Sequence, residues 1–318
     1  MNAFRIAIVG AGTMGTNIAL DFAAHGHTVR LTDSISRQLD NSRELAHANA
    51  TQLEKHGLLS EPAAGVVRRI TYDTHLESTV ADSDLIIEAV PEDLALKRRA
   101  FAKLEGLCKA EAIFASNTSS FMPSMLCVGL KHPERMLVTH YWNPAHLLPL
   151  VEVVPHEQTM PAVVECVCAL LKACGKEPIV LKRELPGFIG NRLAFALQRE
   201  AMELTARGMA TPEDIDAVVR NSFGRRISIS GIFGTADLGG LDVYAAICDA
   251  IFPDLSSRTE APAALTDLVK RGRLGVKTGA GWRAYTEAEI ATLREAVSEE
   301  LIRQAQKDRE APSTERKD

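Results

Sequence analysis

One stretch of sequence decides the fold, Arg5-Ile6-Ala7-Ile8-Val9-Gly10-Ala11-Gly12-Thr13-Met14-Gly15. Its first five residues are mostly apolar and β-branched, which predicts a buried strand. Gly10, Gly12 and Gly15 follow at GxGxxG spacing, and residues 16–25 carry apolar side chains at helical spacing. Such glycines let the backbone approach a pyrophosphate closely, and the start of a helix offers it free N–H groups. The stretch therefore predicts a strand–turn–helix unit that binds a dinucleotide.

An acidic residue strengthens this prediction. Asp33 closes the second predicted strand, residues 29–33, and lies 18 residues after Gly15. A carboxylate at this place can accept hydrogen bonds from both hydroxyls of an adenosine ribose, and it would repel a 2′-phosphate. NAD is therefore the predicted cofactor rather than NADP. The alternative is that the glycines form a turn in another kind of doubly wound protein. The strand, glycines, helix and acid follow one another in the order and spacing of a dinucleotide site, which disfavours this alternative.

The first half of the chain alternates strand and helix patterns. Further strands are predicted at residues 85–90, 113–116 and 136–141, and a helix at residues 40–56 ends at Gly57. Strands that alternate with helices indicate a parallel sheet covered on both faces.

Two more strands are predicted at residues 150–154 and 178–182. The connection from residues 136–141 to the first of them spans only residues 142–149, whereas a parallel crossover needs about a dozen residues or more. If these two strands are neighbours, we therefore expect them to be antiparallel, which would end the parallel part of the sheet.

The pattern changes near residue 185, where strand signals nearly vanish. Helices are predicted beyond it, at residues 188–207, from residue 211, and at residues 242–251, 261–271 and 286–306. The sequence thus predicts an α/β, Rossmann-type doubly wound sheet in residues 1–185, followed by an all-α C-terminal domain in residues 186–306. The polar tail of residues 307–318 is expected to be disordered.

Composition excludes several classes of partner. The chain has 318 residues and a formal net charge of −5, which indicates neither nucleic acid nor an anionic membrane surface as partner. Its longest apolar runs have the length of strands, and its N-terminus lacks the pattern of a signal peptide. The six cysteines fit neither a zinc site nor a redox pair. We therefore expect a cytoplasmic protein with reduced thiols and no metal.

His140 is the candidate general base. It ends one predicted strand and Glu152 lies in the next, so an antiparallel pair joined by a short loop would bring their side chains together. A carboxylate on one imidazole nitrogen fixes the tautomer and stabilises the imidazolium. The other nitrogen can then take the proton of a substrate hydroxyl while a hydride leaves the same carbon. The alternative is a strand-end histidine without a catalytic role, the default for the other histidines.

Several ordered motifs accompany the glycine loop and Asp33. They are Ile87-Glu88-Ala89-Val90-Pro91-Glu92, Ser116-Asn117-Thr118-Ser119-Ser120, His140-Tyr141-Trp142-Asn143-Pro144, Val151-Glu152-Val153-Val154, Pro186-Gly187-Phe188-Ile189-Gly190-Asn191-Arg192, Asp237-Leu238-Gly239-Gly240-Leu241-Asp242 and Lys277-Thr278-Gly279-Ala280-Gly281. With these motifs in this order, the chain resembles the L-3-hydroxyacyl-CoA dehydrogenase family along most of its length. It is also similar to relatives of that family, the gulonate and carnitine dehydrogenases and the lens lambda-crystallins.

The resemblance implies a role for individual residues. It makes His140 the general base and Glu152 the acid that orients it, with Ser119 and Asn191 beside the reacting oxygens as further catalytic residues. The cofactor-binding residues that it implies are Gly10, Ala11, Gly12, Thr13, Met14, Gly15, Asp33, Ala89, Glu92, Lys97, Ser119, Asn143 and Lys277. Three alternatives stay open: Lys97 as a solvated helix residue, Asn143 as a turn former, and Asn191 as an outward position on a helix.

The residues after His140 depart from the family pattern. The family's usual pair of phenylalanines is Tyr141-Trp142 here. This pair is expected to reshape the pocket wall and to leave the proton transfer unchanged.

The cations expected of a CoA site are sparse. In members of the family that act on acyl-CoA, several lysines follow the second strand and meet the nucleotide end of CoA. Residues 41–65 of this chain hold only Arg43 and Lys55 as cations, and Arg68 follows. These three cations could still hold phosphates. For a free acid, Arg192 is the candidate that would bind the carboxylate instead.

Three functions compete at this point. The leading prediction is NAD-dependent oxidation of a secondary alcohol on an L-3-hydroxyacyl-CoA-type substrate, with a place in fatty acid metabolism. The alternative is a dehydrogenase of a small free 3-hydroxy acid or another alcohol without CoA. A structural protein on the same fold is the third, and the presence of both His140 and Glu152 disfavours it. The resemblance also implies a homodimer formed through the helical domain.

Overall fold

The computed structural model describes residues 4–310, and its centre is a sheet of eight strands. In chain order the strands are β1 (Arg5–Val9), β2 (Thr28–Thr32), β3 (Ile70–Asp73), β4 (Leu85–Glu88), β5 (Ile113–Ser116), β6 (Met136–Tyr141), β7 (Leu150–Pro155) and β8 (Glu177–Val180). Their order across the sheet is β3-β2-β1-β4-β5-β6-β7-β8. Neighbouring strands are parallel except β6 and β7, which are antiparallel. The predicted antiparallel pair is therefore confirmed.

Within residues 4–310, seven α-helices lie between the strands and six follow the sheet. The first group is α1 (Thr13–Ala24), α2 (Ser36–Lys55), α3 (Ala63–Val67), α4 (Leu76–Val80), α5 (Leu94–Glu105), α6 (Pro123–Leu126) and α7 (Pro161–Ala173). The second group is α8 (Gly190–Ala206), α9 (Pro212–Asn221), α10 (Phe223–Gly239), α11 (Leu241–Ile251), α12 (Ala263–Lys270) and α13 (Glu287–Glu310). Thr211 caps α9 in a capping box with Asp214, as the sequence signal indicates.

Each face of the sheet is covered by apolar side chains. Along β1, Ile6 and Ile8 belong to one buried cluster, which includes residues of α1, α2 and α7. Ala7 and Val9 belong to a second cluster, which includes residues of α5. This alternation is the two-residue period of a strand buried on both faces. Since both faces are covered, polar side chains collect at the edge that the carboxyl ends of the parallel strands form.

The described residues form two compact units. The first contains residues 4–189 and 296–310, and the second contains residues 190–295. The first unit therefore extends four residues beyond the expected boundary at 185, because Phe188 is fully buried in its core. It also includes the end of α13, where Ile302 is 2% exposed.

The C-terminal end of α13 differs from the expected tail. Residues 307–310 are helical rather than disordered, and Gln306 donates a hydrogen bond to the carbonyl oxygen of His56 at 2.7 Å. The contact is with a residue 250 positions away, so no local pattern indicates it. Residues 311–318 of the predicted tail lie outside the described residues.

No range was predicted for α3 to α7, for β3 or for α10. β3 is an edge strand of only four residues that alternates polar with apolar side chains, so its pattern is short and weak. α10 contains Gly231 at φ 68°, where the helix is kinked, and glycine lowers the helical signal. Within residues 4–310, no helix is long and apolar enough to cross a membrane.

Candidate active site

The glycine loop between β1 and α1 has the shape that a pyrophosphate needs. Gly10 has φ +113°, and a Cβ there would lie 2.5 Å from the carbonyl oxygen of Ala89. A Cβ on Gly15 would lie 1.9 Å from the carbonyl oxygen of Gly10, so a side chain would push the loop away from the helix. A Cβ on Gly12, by contrast, would meet nothing within 4 Å. The space before the N-terminus of α1 is therefore open to phosphate oxygens, and the residues present fit a dinucleotide.

Asp33 follows β2 and holds the loop from the side. One carboxylate oxygen accepts a hydrogen bond from the N–H of Ala11 at 2.9 Å, and the other accepts from the N–H of Ile35 at 3.0 Å. The carboxylate thus lies beside the glycine turn, where the ribose next to a bound pyrophosphate would be. The contact of Asp33 with a ribose stays a prediction, and the sequence did not predict that Asp33 also fixes the glycine turn.

His140 and Glu152 form a hydrogen-bonded pair. The register of β6 and β7 places them directly opposite each other, and Nδ1 of His140 lies 2.8 Å from Oε2 of Glu152. Both side chains are buried, with 5% and 1% of the residue exposed. The other carboxylate oxygen accepts a hydrogen bond from the N–H of Ile189 at 2.8 Å. Because the carboxylate accepts from Nδ1–H, the neutral imidazole carries its free lone pair on Nε2.

Two aromatic rings flank the imidazole. The ring centroids of Trp142 and Phe188 each lie 5.5 Å from that of His140. Phe188 adopts φ +52°, a conformation that non-glycine residues rarely take and that its complete burial maintains. Tyr141 packs into the first core cluster and also borders the space beside His140. That this pair reshapes the pocket wall relative to the family's two phenylalanines stays a prediction.

Lys97 is a buried ion-pair partner rather than a solvated helix residue. Its ammonium lies 2.8 Å from Glu88, 3.2 Å from Glu92 and 3.2 Å from the carbonyl oxygen of Val90. Lys97 and Glu88 are 1% and 0% exposed. An ammonium has three hydrogens, and these three acceptors account for all of them. In this arrangement Lys97 joins the ends of β4 and α5.

Glu92 fixes the loop that carries Ser119. Its Oε1 accepts hydrogen bonds from the hydroxyls of Thr118 and Ser120, at 2.5 and 2.7 Å, and from the N–H of Ser119 at 3.2 Å. Burial alone would raise the pKa of Glu92, but these hydroxyls and the charge of Lys97 outweigh burial and hold the pKa below its usual value. The carboxylate is therefore ionised at neutral pH, as its role as an acceptor of several hydrogen bonds requires.

A cavity of about 300 Å³ connects these elements. It is lined by Met14, Ala89, Val90, Glu92, Lys97, Asn117, Ser119, His140, Tyr141, Trp142 and Asn143. Seven of the sixteen site residues predicted from the sequence line this cavity, namely Met14, Ala89, Glu92, Lys97, Ser119, His140 and Asn143. Among residues 4–310, no cluster of His, Cys, Asp and Glu has the arrangement of a metal site.

The other predicted residues lie in the second unit. Asn191 is in the first turn of α8, and Lys277 is exposed in a turn after α12. Arg192, the candidate partner of a substrate carboxylate, follows Asn191 and is exposed. Their roles toward cofactor and substrate stay predictions.

Sequence reasoning missed part of the site. Glu88 accepts from Lys97 and, at 2.6 Å, from the hydroxyl of Ser116, while Asn117 accepts from the N–H of Tyr141 at 3.0 Å. Both residues were quoted within motifs but were given no role. A usable signal existed, because each lies at the carboxyl end of a parallel strand, where ligands of such sheets bind.

Comparison with known proteins identifies the family. The chain matches the family of the 3-hydroxyacyl-CoA dehydrogenase NAD-binding domain over residues 5–184, and that of the 3-hydroxyacyl-CoA dehydrogenase C-terminal domain over residues 187–285. A relative from Mesorhizobium japonicum, 5-formyl-3-hydroxy-2-methylpyridine 4-carboxylate 5-dehydrogenase, is 32% identical over 94% of this chain and 96% of its own length.

Two solved structures extend this comparison. The crystal structure of a 5-formyl-3-hydroxy-2-methylpyridine 4-carboxylic acid 5-dehydrogenase, an NAD⁺-dependent dismutase, has a TM-score of 0.91 at 30% identity and covers 96% of this chain and 99% of its own. The (S)-3-hydroxybutyryl-CoA dehydrogenase PaaH1 from Ralstonia eutropha has a TM-score of 0.74 at 31% identity and covers 90% and 100%. The chain belongs to the 3-hydroxyacyl-CoA dehydrogenase family and is an NAD-dependent dehydrogenase that acts on CH–OH groups.

Proposed function

We propose that this protein oxidises a small, free substrate that carries an acid group and no CoA. The observation that carries the proposal is the balance of charge on α2, where a CoA site would need cations. Three basic residues of this helix are matched by three acidic ones, namely Arg37, Arg43 and Lys55 against Asp40, Glu44 and Glu54. A surface without excess positive charge offers little attraction to the phosphates of CoA.

One of the three cations proposed for a CoA clamp, Arg43, is engaged by a neighbouring acid. The guanidinium of Arg43 lies 2.7 Å from the carboxylate of Asp40 and 4.7 Å from the ring centroid of Tyr72. The acid near Arg68, Glu61, pairs instead with Arg69, at 2.6 Å. The pair of Arg43 with Asp40 favours the free substrate, and the higher TM-score of the pyridine-carboxylate dehydrogenase, 0.91 against 0.74 for the 3-hydroxybutyryl-CoA dehydrogenase, supports it as well.

The proposed proton transfer follows from the His140–Glu152 pair. Nε2 of His140 accepts the proton of the substrate hydroxyl, and the carboxylate of Glu152 stabilises the imidazolium that forms. The hydroxyl of Ser119 lines the same cavity, and we assign it to the oxygen on which charge develops. NAD, when bound, accepts the hydride from the carbon that carried this hydroxyl. We propose that Asp33 binds the adenosine ribose and that the glycine loop binds the pyrophosphate.

A CoA thioester is the second candidate substrate. It is favoured by the family to which both parts of the chain belong and by relatives named 3-hydroxyadipyl-CoA and 3-hydroxybutyryl-CoA dehydrogenase. A place in fatty acid metabolism belongs to this candidate alone. Location in the cytoplasm remains our proposal for either substrate, since all six cysteines are free thiols.

Comparison of free and CoA-bound substrates tests the proposal. With NAD, we expect kcat/KM to be at least about tenfold higher for 3-hydroxybutyrate, or for the hydrated aldehyde of 5-formyl-3-hydroxy-2-methylpyridine 4-carboxylate, than for 3-hydroxybutyryl-CoA, a difference of about 1.4 kcal/mol. In the hydrate, one carbon carries both the hydroxyl and the hydrogen that the proposed step removes. NADH formation measures each rate. The variants Lys55→Glu and Arg68→Glu should leave the KM of the free substrates unchanged. A higher kcat/KM for the thioester, together with a raised KM for it in these two variants, would establish the CoA candidate instead.

We propose further that the protein is a homodimer formed through the second unit. None of the helices α8 to α12 has a buried residue, and large apolar side chains are exposed, among them Ile229, Phe233 and Leu238 at 87%, 85% and 83%. So much apolar surface is typical of an interface. Light scattering at micromolar concentration should give about twice the chain mass of 34.5 kDa, and a stable monomer would contradict the proposal.

A further inference from the structure

A tight turn precedes α8 and ends at Phe188. The N–H of Phe188 donates a hydrogen bond to the carbonyl oxygen of Leu185 at 3.2 Å, which closes a four-residue turn around Pro186 and Gly187. Proline at the second position and a glycine with φ +75° at the third are typical of a type II turn. Phe188 follows with φ +52°. The backbone thus makes two left-handed steps in succession, and only the first of them falls on a glycine.

The second left-handed step directs the next peptide group toward the His140–Glu152 pair, because φ and ψ of one residue set the direction of the peptide that follows it. The N–H of Ile189 donates to Oε1 of Glu152 at 2.8 Å, while Oε2 of the same carboxylate lies 2.8 Å from Nδ1 of His140. Each oxygen of the carboxylate therefore has a donor. Rotation of the carboxylate away from the imidazole would break both hydrogen bonds.

The ring of Phe188 keeps the strained backbone in place. The residue is 0% exposed and belongs to the second core cluster together with Val138 and Val154. By the two-residue period of strands, these valines lie on the same face of their strands as His140 and Glu152. The ring of Phe188 lies 5.5 Å from the imidazole. Backbone strain of this kind persists only where the surrounding structure maintains it, and it is frequent at functional sites.

We propose that Phe188 is a positioning residue for the general base. Its left-handed backbone places the N–H of Ile189 on Glu152, and this hydrogen bond holds the carboxylate in the orientation that accepts Nδ1–H of His140. The tautomer whose Nε2 can take the substrate proton is thereby favoured. Phe188 acts through Glu152, since it does not itself line the cavity. This inference rests on the proposed function, namely on the proton transfer to His140.

Exchange of a single backbone group tests the hydrogen bond by itself. The α-hydroxy analogue of isoleucine at position 189 puts an ester oxygen in place of the N–H and leaves every side chain unchanged. The same analogue at position 290 is the matched control, because the N–H of Ile290 donates to the carbonyl oxygen of Thr286 at the start of α13. NADH formation is measured with 3-hydroxybutyrate and with 3-hydroxybutyryl-CoA, so the comparison does not depend on which substrate is preferred.

The expected result is a loss of kcat alone. The ester at position 189 should lower kcat about tenfold, equivalent to about 1.4 kcal/mol. The KM of the substrate and the Kd of NADH should stay unchanged, because the hydrogen bond acts on the proton transfer and not on binding. The ester at position 290 should leave all three quantities as they are in the wild-type protein.

Two substitutions of Phe188 test the role of the backbone conformation. Phe188→Ala and Phe188→Gly both remove the ring, but only glycine adopts a φ of +52° without strain. If Phe188 served packing alone, glycine would be no better than alanine, since it leaves a larger cavity and a more flexible chain. We expect the opposite order. The kcat of Phe188→Gly should exceed that of Phe188→Ala about fivefold, the factor equivalent to about 1 kcal/mol of left-handed strain.

Either of two results would overturn the inference. One is an equal kcat for the esters at positions 189 and 290, and the other is a kcat of Phe188→Gly no higher than that of Phe188→Ala. The ester at position 189 decides alone where the Phe188 variants do not fold. Failure of the proposed function has different signatures, namely a kcat/KM of the wild-type protein that favours 3-hydroxybutyryl-CoA, or near-normal turnover of His140→Ala.

Discussion

The variant His140→Ala should lower turnover by about 10²–10⁴-fold, the usual contribution of a general base. The imidazole of His140 lines the cavity. Glu152 accepts from Nδ1–H, so Nε2 is the nitrogen that can take a proton. Removal of the ring leaves water to take the substrate proton. The affinity for NADH should change little, because the glycine loop and Asp33 lie at β1 and β2, away from the end of β6.

Two further variants sharpen this experiment. Glu152→Gln keeps a side chain of the same size but loses the charge that stabilises the imidazolium, so turnover should fall in the same direction and by less. His156→Gln is the matched control, since His156 is also buried, at 7% exposure, but its Nε2–H donates to the carbonyl oxygen of Pro133 and the residue does not line the cavity. Turnover is measured by NADH formation and affinity by NADH fluorescence. Near-normal turnover of His140→Ala would remove His140 from the mechanism.

The active-site pair illustrates what can be predicted from sequence. The length of the segment between residues 141 and 150 forces β6 and β7 to be antiparallel, and this arrangement brings His140 opposite Glu152. The prediction succeeded because it depended only on local length and the two-residue period of strands. The glycine loop was predictable for the same reason, since strand, turn and helix are contiguous in the sequence.

Contacts between distant segments were not predictable in this way. The sequence shows Lys97 four residues after Asp93, the N-cap of α5, but not that its ammonium meets Glu88 and Glu92 at the end of β4. It likewise shows a polar tail, but not that Gln306 binds the carbonyl oxygen of His56. Whether the indole nitrogen of Trp142 has a hydrogen-bond acceptor depends on the residues packed around it, and among the described residues it has none. In each case the missing information is the packing of elements that are far apart in the chain.

The variant Lys97→Met should destabilise the protein by about 3–5 kcal/mol, the usual cost of removing one partner from a buried ion pair. Methionine fills a similar volume, but it leaves the carboxylate of Glu88, which is 0% exposed, without a neutralising charge and beside that of Glu92. For a unit of this size, each kcal/mol lowers the melting temperature by about 2–4 °C, so a fall of about 10 °C is expected. Thermal unfolding measures it.

Lys103→Met is the matched control, because Lys103 lies on the same helix and is exposed. It should change the melting temperature by no more than about 2 °C, as surface substitutions usually do. The double variant Glu88→Gln/Lys97→Met removes both charges; the amide oxygen can accept from the N–H of Val90, and the amide nitrogen can donate to the hydroxyl of Ser116. It should recover at least half of the lost stability. A melting temperature of Lys97→Met equal to that of Lys103→Met would contradict the buried ion pair.

The double variant also separates the two roles assigned to Lys97. If the lysine acts only by joining β4 to α5, restored stability should be accompanied by restored affinity for NADH. If its ammonium also meets the bound cofactor, as the family resemblance implies, the affinity for NADH should stay low in the stable double variant. Glu92 provides the link between these outcomes, since it binds Lys97 through one oxygen and the segment of Ser119 through the other. Loss of Lys97 should therefore slow turnover in both cases, and the NADH titration assigns the cause.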